Sequence, residues 1–355
     1  MRKRERLVAA LGEYPALAAV EVPPIVGSPK AFGYRTQAKL VLRRTRHGVL
    51  AGLYRPGSHQ VADVRRCPVH HPLINQVAQA VCEEIERRDL AVYDERSGEG
   101  LLRYLVVRVS SWEKRAELIL VSAAGGLPSS LVRSLRAKVR GLSVVLNLNA
   151  EPGNVILGRR FVPLTKEPPL TERIGNLKLR SRPGAFLQAN IPVARKLYDT
   201  AASWAAVRAE DIVVDLYCGV GALTFHLAPG ARRVFGIEEV AEAVLDAKAN
   251  TPFNGFHNLR FRCAPAAEGL AALYAEVGRV DVLSLNPPRK GADEATREAI
   301  VAAAPRAIVY VSCEPSTLAR DLAWFGARGY RLTRVRGFDM FPQTEHVETL
   351  ALLER

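Results

Sequence analysis

The chain has 355 residues, a formal net charge of +14, and hydrophobic and charged fractions of 48% and 24%, the composition of a globular protein too long for a single hydrophobic core, so two domains are expected. No apolar run reaches the 18 or so residues that span a bilayer, and the basic N-terminus lacks the apolar stretch of a signal peptide, which excludes a membrane partner and leaves a cytoplasmic monomer as the expectation. The five cysteines, Cys67, Cys82, Cys218, Cys263 and Cys313, are odd in number and show no pairing pattern, so reduced thiols are expected rather than a disulfide framework. Charge is unevenly spread. Residues 1–200 carry 33 Lys and Arg against 17 Asp and Glu, whereas residues 201–355 carry 17 against 19. Between Pro23 and Arg66 stand nine basic residues, among them Arg35, Lys39, Arg43, Arg44 and Arg46, and one acidic residue, Asp63. Such a segment attracts a polyanion such as nucleic acid.

In chain order, residues 1–21 read as a basic helix that the two prolines Pro23 and Pro24 terminate. Strand patterns at 37–42 and 48–54 flank an Arg-Arg-Thr-Arg-His-Gly connection, a hairpin signal. Residues 70–88 place Leu73, Val77, Val81 and Ile85 four apart, which predicts a helix. Strands follow at 101–110, 116–123 and 142–149, with a basic helix at 131–140. This is an α+β domain closing near Gly158, and residues 163–173 form a loop-rich join. From Gly184 onward apolar strands at 212–216, 234–237, 280–285 and 308–311 alternate with helical stretches at 223–227, 241–250 and 294–304. That order implies right-handed crossovers and a parallel sheet covered on both faces. Residues 330–338 and 347–353 read as an antiparallel pair at one edge. The expected architecture is thus an α+β domain over 1–165 and a Rossmann-like α/β domain over 166–355.

Two stretches carry chemistry. The first strand of the α/β domain ends in Asp215-Leu-Tyr217-Cys-Gly219-Val-Gly221, where glycines one apart let main chain approach a ligand closely. About 20 residues on, the next strand ends in Glu238, a carboxylate placed to accept both hydroxyls of a ribose. A dinucleotide site would carry a third glycine at the helix start, and Thr224 stands there. The ligand is then a nucleoside without a pyrophosphate, of which S-adenosylmethionine is the commonest. The second stretch is the strand 308–311 followed by Cys313 and a helix-start signal at Pro315-Ser-Thr. A cysteine at that strand end lies on the ligand side of an open α/β sheet, and the helix N-terminus behind it would favour a thiolate. Taken singly, Cys313 reads more readily as a small buried hydrophobe and Glu348 as a structural acid beside an edge strand.

Five segments together resemble the RNA uracil-C5 methyltransferases that form 5-methyluridine in tRNA and large-subunit rRNA. They are Gly184-Ala-Phe-Leu-Gln188-Ala-Asn190, Asp215 to Gly221, Asn286-Pro-Pro-Arg-Lys-Gly291, Ser312-Cys-Glu-Pro-Ser-Thr-Leu-Ala-Arg-Asp321 and Asp339-Met-Phe-Pro-Gln-Thr-Glu-His-Val-Glu348. Similarity continues upstream through Gly33-Tyr-Arg35, Gly52-Leu-Tyr-Arg55 and Asn154-Val-Ile-Leu-Gly158. The resemblance implies a class I methyltransferase domain using S-adenosylmethionine, an N-terminal RNA-binding domain, Cys313 as nucleophile and Glu348 as general base. It assigns cofactor contacts to Gln188, Asp215, Tyr217, Gly219, Gly221, Glu238 and Asn286, and offers Arg289 and Lys290 for the phosphates of the RNA. Structured RNA is the implied substrate, with rRNA favoured over tRNA.

The chain departs from that family at three points. Asn286 stands where the family carries Asp, keeping an acceptor oxygen and losing a charge. Of the iron–sulfur cysteines only Cys67, in Cys67-Pro-Val-His70-His71, is present, so no cluster is expected, and Cys67, His70 and His71 lack a fourth ligand for zinc. The small β-barrel RNA-binding domain is not expected either, which leaves residues 30–66 to carry more of the RNA contact. Two rival readings are an amino-group methyltransferase, for which an aromatic residue would stand at Arg289, and a non-catalytic RNA-binding assembly factor, which would not need Cys313 and Glu348.

Overall fold

The computed structural model describes residues 2–151, 153 and 155–355; Met1, in the expected first helix, and Asn154, in one of the resembling segments, lie outside the described residues. The chain forms two compact units, one made of Met1–Pro29, Ile174–Ser181 and Ala185–Arg355, the other of Lys30–Arg173 and Arg182–Gly184. This division differs from the expected one at 165/166, because the first 29 residues fold with the C-terminal unit. The reason is apolar. Helices α1 (Arg2–Gly12) and α2 (Pro15–Ala18) replace the single helix expected over 1–21, broken between Gly12 and Pro15. Their Leu7, Leu11 and Leu17 are buried in one core with Leu318, Leu322 and Phe325.

The second unit contains β1 (Gln37–Thr45), β2 (Gly48–Tyr54), β3 (Val61–Asp63), α3 (Pro72–Arg87), β4 (Leu102–Ser110), β5 (Arg115–Ser122), α4 (Ser129–Lys138), β6 (Ser143–Leu148) and β7 (Arg160–Pro163). Its seven-stranded sheet runs β3-β2-β1-β4-β5-β6-β7 and is antiparallel apart from the β5–β6 pair. Alternation along β1 sends Leu40 and Leu42 into the core with Ile74, Val77, Val81 and Leu135 of the two helices, while Val41 joins Tyr104, Val106 and Ile119 in a cluster on the other face. The cross-strand pair Arg108 and Glu117 forms a buried ion pair at 2.8 Å.

A short pair, β8 (Leu170–Ile174) with β9 (Leu177–Ser181), comes next in the chain. The C-terminal unit then runs through α5 (Ile191–Ala205), β10 (Ile212–Leu216), α6 (Ala222–Leu227), β11 (Arg233–Glu238), α7 (Ala241–Phe253), β12 (Leu259–Cys263), α8 (Ala266–Val277), β13 (Val282–Leu285), α9 (Glu294–Ala303), β14 (Ala307–Ser312), α10 (Pro315–Gly326), β15 (Arg331–Phe338) and β16 (Glu348–Glu354). Strand order is β12-β11-β10-β13-β14-β16-β15, with β10 to β14 mutually parallel and β16 antiparallel to both neighbours. This is the expected Rossmann-like sheet with its antiparallel edge pair. Strands β10, β13 and β14 are buried along their whole length, so they read as continuous apolar runs, and separate cores cover the two faces. Strand order reverses between β10 and β13, and ligands of such sheets bind outside the carboxyl ends at that point. Among the described residues, no helix is long and apolar enough to cross a membrane.

Candidate active site

Because β11, β10, β13 and β14 are adjacent and parallel, whatever follows each strand gathers along one edge of the sheet. Glu238 ends β11, residues 217–221 follow β10, Asn286 follows β13 and Cys313 follows β14. Strand β16 runs the other way, so its first residue, Glu348, starts at the same edge. The register pairs Ser312 with Thr349, which brings the next residue, Cys313, abreast of Glu348. Two strand ends and one reversal thus unite residues 35 positions apart in sequence.

The turn after β10 is built for close approach. Tyr217, Gly219 and Gly221 all have left-handed backbone (φ 58, 54 and 88°). For a bulky tyrosine that conformation is costly and occurs where a functional turn demands it. A Cβ on Gly221 would lie 2.7 Å from the Phe225 ring, so only glycine fits, whereas the space beside Gly219 is open. Glu238 is held by two main-chain donors, Gly219 N to Oε2 at 3.0 Å and Val240 N to Oε1 at 2.9 Å. Each oxygen retains acceptor capacity for a hydroxyl. The Tyr217 hydroxyl is 3.3 Å from Thr296 Oγ1, and Asn286 is half-buried at the adjoining strand end.

Asp215 is buried, and its carboxylate accepts hydrogen bonds from Thr224 Oγ1 and Ser284 Oγ, both at 2.6 Å; burial lifts its pKa to about 6. It braces the turn from beneath by tying β10 to α6 and β13. Thr224, which the sequence marked only as a missing glycine, is the partner that makes this brace. Gln188 is buried just ahead of α5. Asn190, to which no role was given, donates from Nδ2 to Ser28 Oγ and the Met340 carbonyl, each at 3.1 Å, and its Oδ1 is buried without a partner among the described residues. A carboxylate for two hydroxyls, an aromatic ring, an amide and open space at Gly219 form a donor and acceptor set suited to a nucleoside.

Cys313 is half-buried at the turn into α10. The helix N-terminus was expected to favour its thiolate; burial and the negative charge of Glu348 outweigh it and push the thiol above its ordinary pKa, against the opposing pull of Arg289. Glu348 is fully enclosed, and burial raises its carboxyl to about 7, again opposed by Arg289. A carboxyl with that pKa exchanges a proton readily at neutral pH. Arg289 therefore stands electrostatically beside both groups, a relation that spacing alone did not reveal. Its loop is latched to α10: Thr317 Oγ1 donates to the Arg289 carbonyl and Arg320 to the Lys290 carbonyl, both at 2.9 Å, while Asp321 accepts from Ala292 N at 2.9 Å and Tyr310 Oη at 2.6 Å.

Arg289 and Lys290 are exposed on this loop. The remaining basic candidates lie in the second unit. Lys39 points outward from β1. Arg43 is within ion-pair range of Glu95 (3.6 Å) and Asp94, and Arg44 of Asp89 (3.3 Å). Arg46 bonds His47 at 2.9 Å, and Arg35 Nε donates to the Gln37 carbonyl at 3.0 Å. The carboxylates at 89–95 thus offset part of the charge that a count over residues 30–66 suggests. His70 is bonded to Asn75 and His71 caps α3 through Leu73 N; among the described residues no group of three or more metal-ligating side chains is assembled.

The comparisons with known proteins agree with this geometry. Residues 129–355 match the family model of tRNA (uracil-5-)-methyltransferases. An uncharacterized RNA methyltransferase of Geobacter sulfurreducens is 44% identical over 354 residues, covering 99% of this chain and 72% of that protein. Another from Thermosynechococcus vestitus is 38% identical over 335 residues, covering 93% and 73%. The crystal structure of Pyrococcus abyssi tRNA (uracil-54, C5)-methyltransferase, solved with S-adenosyl-L-homocysteine, is 28% identical and superposes with a TM-score of 0.80 over 99% of this chain and 81% of that one. With the strand-end turn, Glu238 and the paired cysteine and glutamate already described, these matches establish that the chain belongs to the tRNA (uracil-5-)-methyltransferase family, the S-adenosylmethionine-dependent methyltransferases of RNA.

Proposed function

We propose that this protein methylates C5 of a uridine in structured RNA through a transient bond between Cys313 and C6 of the base. The observation that carries the reading is the side-by-side placement of the Cys313 thiol and the buried Glu348 carboxyl at the ligand edge of the sheet. C5 of uracil is too weak a nucleophile to attack a sulfonium methyl. Thiolate addition at C6 moves an electron pair onto C5 and O4, giving an enolate that can. Bound S-adenosylmethionine supplies the electrophilic methyl group. Once C5 carries that methyl, Glu348 takes the C5 proton, the C5–C6 double bond reforms and the Cys313 thiolate is expelled. Cys313 ends as the thiolate it began as, and Glu348 regains its carboxylate by releasing the proton to solvent. Arg289 stabilises the thiolate and keeps Glu348 ionised for part of the population, since its positive charge acts on both.

In this reading Glu238 holds the ribose of the cofactor, Tyr217, Gly219 and Gly221 shape its cradle, Asp215 keeps that cradle rigid, and Gln188 and Asn286 contribute amide groups. Arg289 and Lys290 meet phosphates near the target base, and Arg35, Lys39, Arg43, Arg44 and Arg46 bind other parts of the RNA. The uridine is taken from a loop or flipped from its stack, because C5 and C6 are inaccessible within it. RNA incubated with methyl-labelled S-adenosylmethionine and the protein should yield labelled 5-methyluridine. Comparing tRNA and rRNA from a deletion strain then identifies the RNA class. Label appearing on an amino nitrogen, or 5-methyluridine still formed by Cys313→Ala, would overturn the reading.

A further inference from the structure

Asp321 is a fully buried acid of α10 to which the mechanism above gives no task. A carboxyl so enclosed needs donors on both oxygens, and its donors come from several elements. Oδ2 accepts from Ala292 N at 2.9 Å and from the hydroxyl of Tyr310 at 2.6 Å, three residues before Cys313 on β14. Oδ1 accepts from Arg320 Nη2 at 2.8 Å and lies 3.4 Å from Arg297 Nη1 of α9. Two neighbours on α10 reach the same stretch of main chain. Arg320 Nη2 also donates to the Lys290 carbonyl at 2.9 Å, and Thr317 Oγ1 is 2.9 Å from the Arg289 carbonyl and 3.2 Å from that of Glu314, the residue after Cys313. The turn itself closes from Gly291 N to the Pro288 carbonyl at 2.9 Å. A Cβ on Gly291 would lie 2.6 Å from both Asp321 Oδ2 and Arg320 Nη2, so the acid and its arginine rest against bare main chain. Side chains of α10 thus hold two successive carbonyls and one amide of the 288–292 segment, and the corner of that turn presents Arg289 and Lys290, both exposed.

We propose that Asp321 is a positioning residue: by fixing the 288–291 turn to the start of α10, it keeps the Arg289 guanidinium beside Cys313. The inference rests on the methylation reading in taking Cys313 as the nucleophile. Burial and Glu348 raise the thiol, and Arg289 lowers it; Glu314, its neighbour in the turn, is 3.8 Å from Arg6 of α1. Removing the acid therefore has two effects of opposite sign. Loss of a negative charge, with two arginines released from it, favours the thiolate. A turn free to drift withdraws Arg289 and disfavours it. A rise in the thiol pKa thus marks positioning.

The test follows alkylation of Cys313 by iodoacetamide against pH in the folded protein, read by peptide mass spectrometry. Asp321→Asn should move the midpoint up by roughly 0.5–1 pH unit, Arg289→Gln should move it at least as far, and the double variant should match Arg289→Gln alone. Thr317→Val removes one bond to the turn and leaves the acid in place; it should shift the midpoint the same way by less, and it decides the matter if Asp321→Asn does not fold. An acid that served only the fold would lower the melting temperature and leave the midpoint unmoved. That result, a lowered midpoint, or an equal rise with Arg289 already replaced, would overturn the proposal. No RNA or cofactor enters the measurement. Wild-type protein that forms an adduct with 5-fluorouridine RNA while Asp321→Asn keeps the wild-type midpoint would refute the positioning role alone; absence of the adduct with the expected midpoints would refute the methylation reading alone.

Discussion

In the proposed mechanism Glu348 is a base, and its burial sets it for that role at a cost to the fold. The folded protein holds its proton up to about pH 7, whereas an unfolded chain releases it near 4.5. Below pH 4.5 both states are protonated and nothing is lost. As pH rises the unfolded chain ionises first, so stability falls across that window, by about 3 kcal/mol in all. Glu348→Gln removes this dependence. The variant should match wild type near pH 5 and exceed it by about 2–3 kcal/mol at pH 8, measured by urea unfolding at fixed salt; a difference independent of pH would mean the carboxyl is not perturbed by burial. Cys313 follows the same logic, with its thiol raised by burial and by Glu348 and lowered by Arg289. Its helix N-terminus was legible in the sequence and Glu348 came with the resemblance, but the pull of Arg289, from the loop after β13, was not.

At the scale of elements, close packing explains several residues that chemistry does not. A Cβ on Gly236 would lie 2.5 Å from the Phe261 ring and 2.8 Å from Cys218 Sγ, so β11 and the ligand turn can meet only at glycine. Gly236→Ala should cost about 1–3 kcal/mol and weaken binding of S-adenosyl-L-homocysteine, read by thermal unfolding and calorimetry; unchanged melting would contradict the packing. The strands β10, β11, β13 and β14 were readable because burial on both faces makes them predominantly apolar. Other elements hid themselves. Strand β12 alternates Arg260 and Arg262 with Phe261 at an open edge, and α8 has five alanines among its 12 residues and a glycine, Gly269, where a Cβ would lie 2.7 Å from Ile237, leaving little contrast between its faces. Helix α5 buries Ala194, Ala201 and Ala205 beside Leu197, a face too mild to stand out. The turn motifs and the cysteine and glutamate stretches were legible because their residue types have few other uses in such an order.

For the whole molecule, the discontinuity of the C-terminal unit has a consequence. Leu7, Leu11, Leu17 and Val22 are each at most 3% exposed and share a core with α10, and four such side chains contribute about 6–12 kcal/mol of burial, comparable with the stability of a whole domain. Deleting residues 2–29 should therefore unfold the catalytic unit and abolish cofactor binding, while amide exchange in β4 and β5 of the other unit persists; a truncated protein that still bound S-adenosyl-L-homocysteine would contradict this. The central claim concerns one sulfur atom. Protein incubated with S-adenosylmethionine and RNA carrying 5-fluorouridine at the target position should give a complex that survives denaturation, because fluorine at C5 cannot leave as a proton, and peptide mass spectrometry should place the RNA on Cys313. A complex that forms equally with Cys313→Ala, or one attached to another residue, would contradict the account.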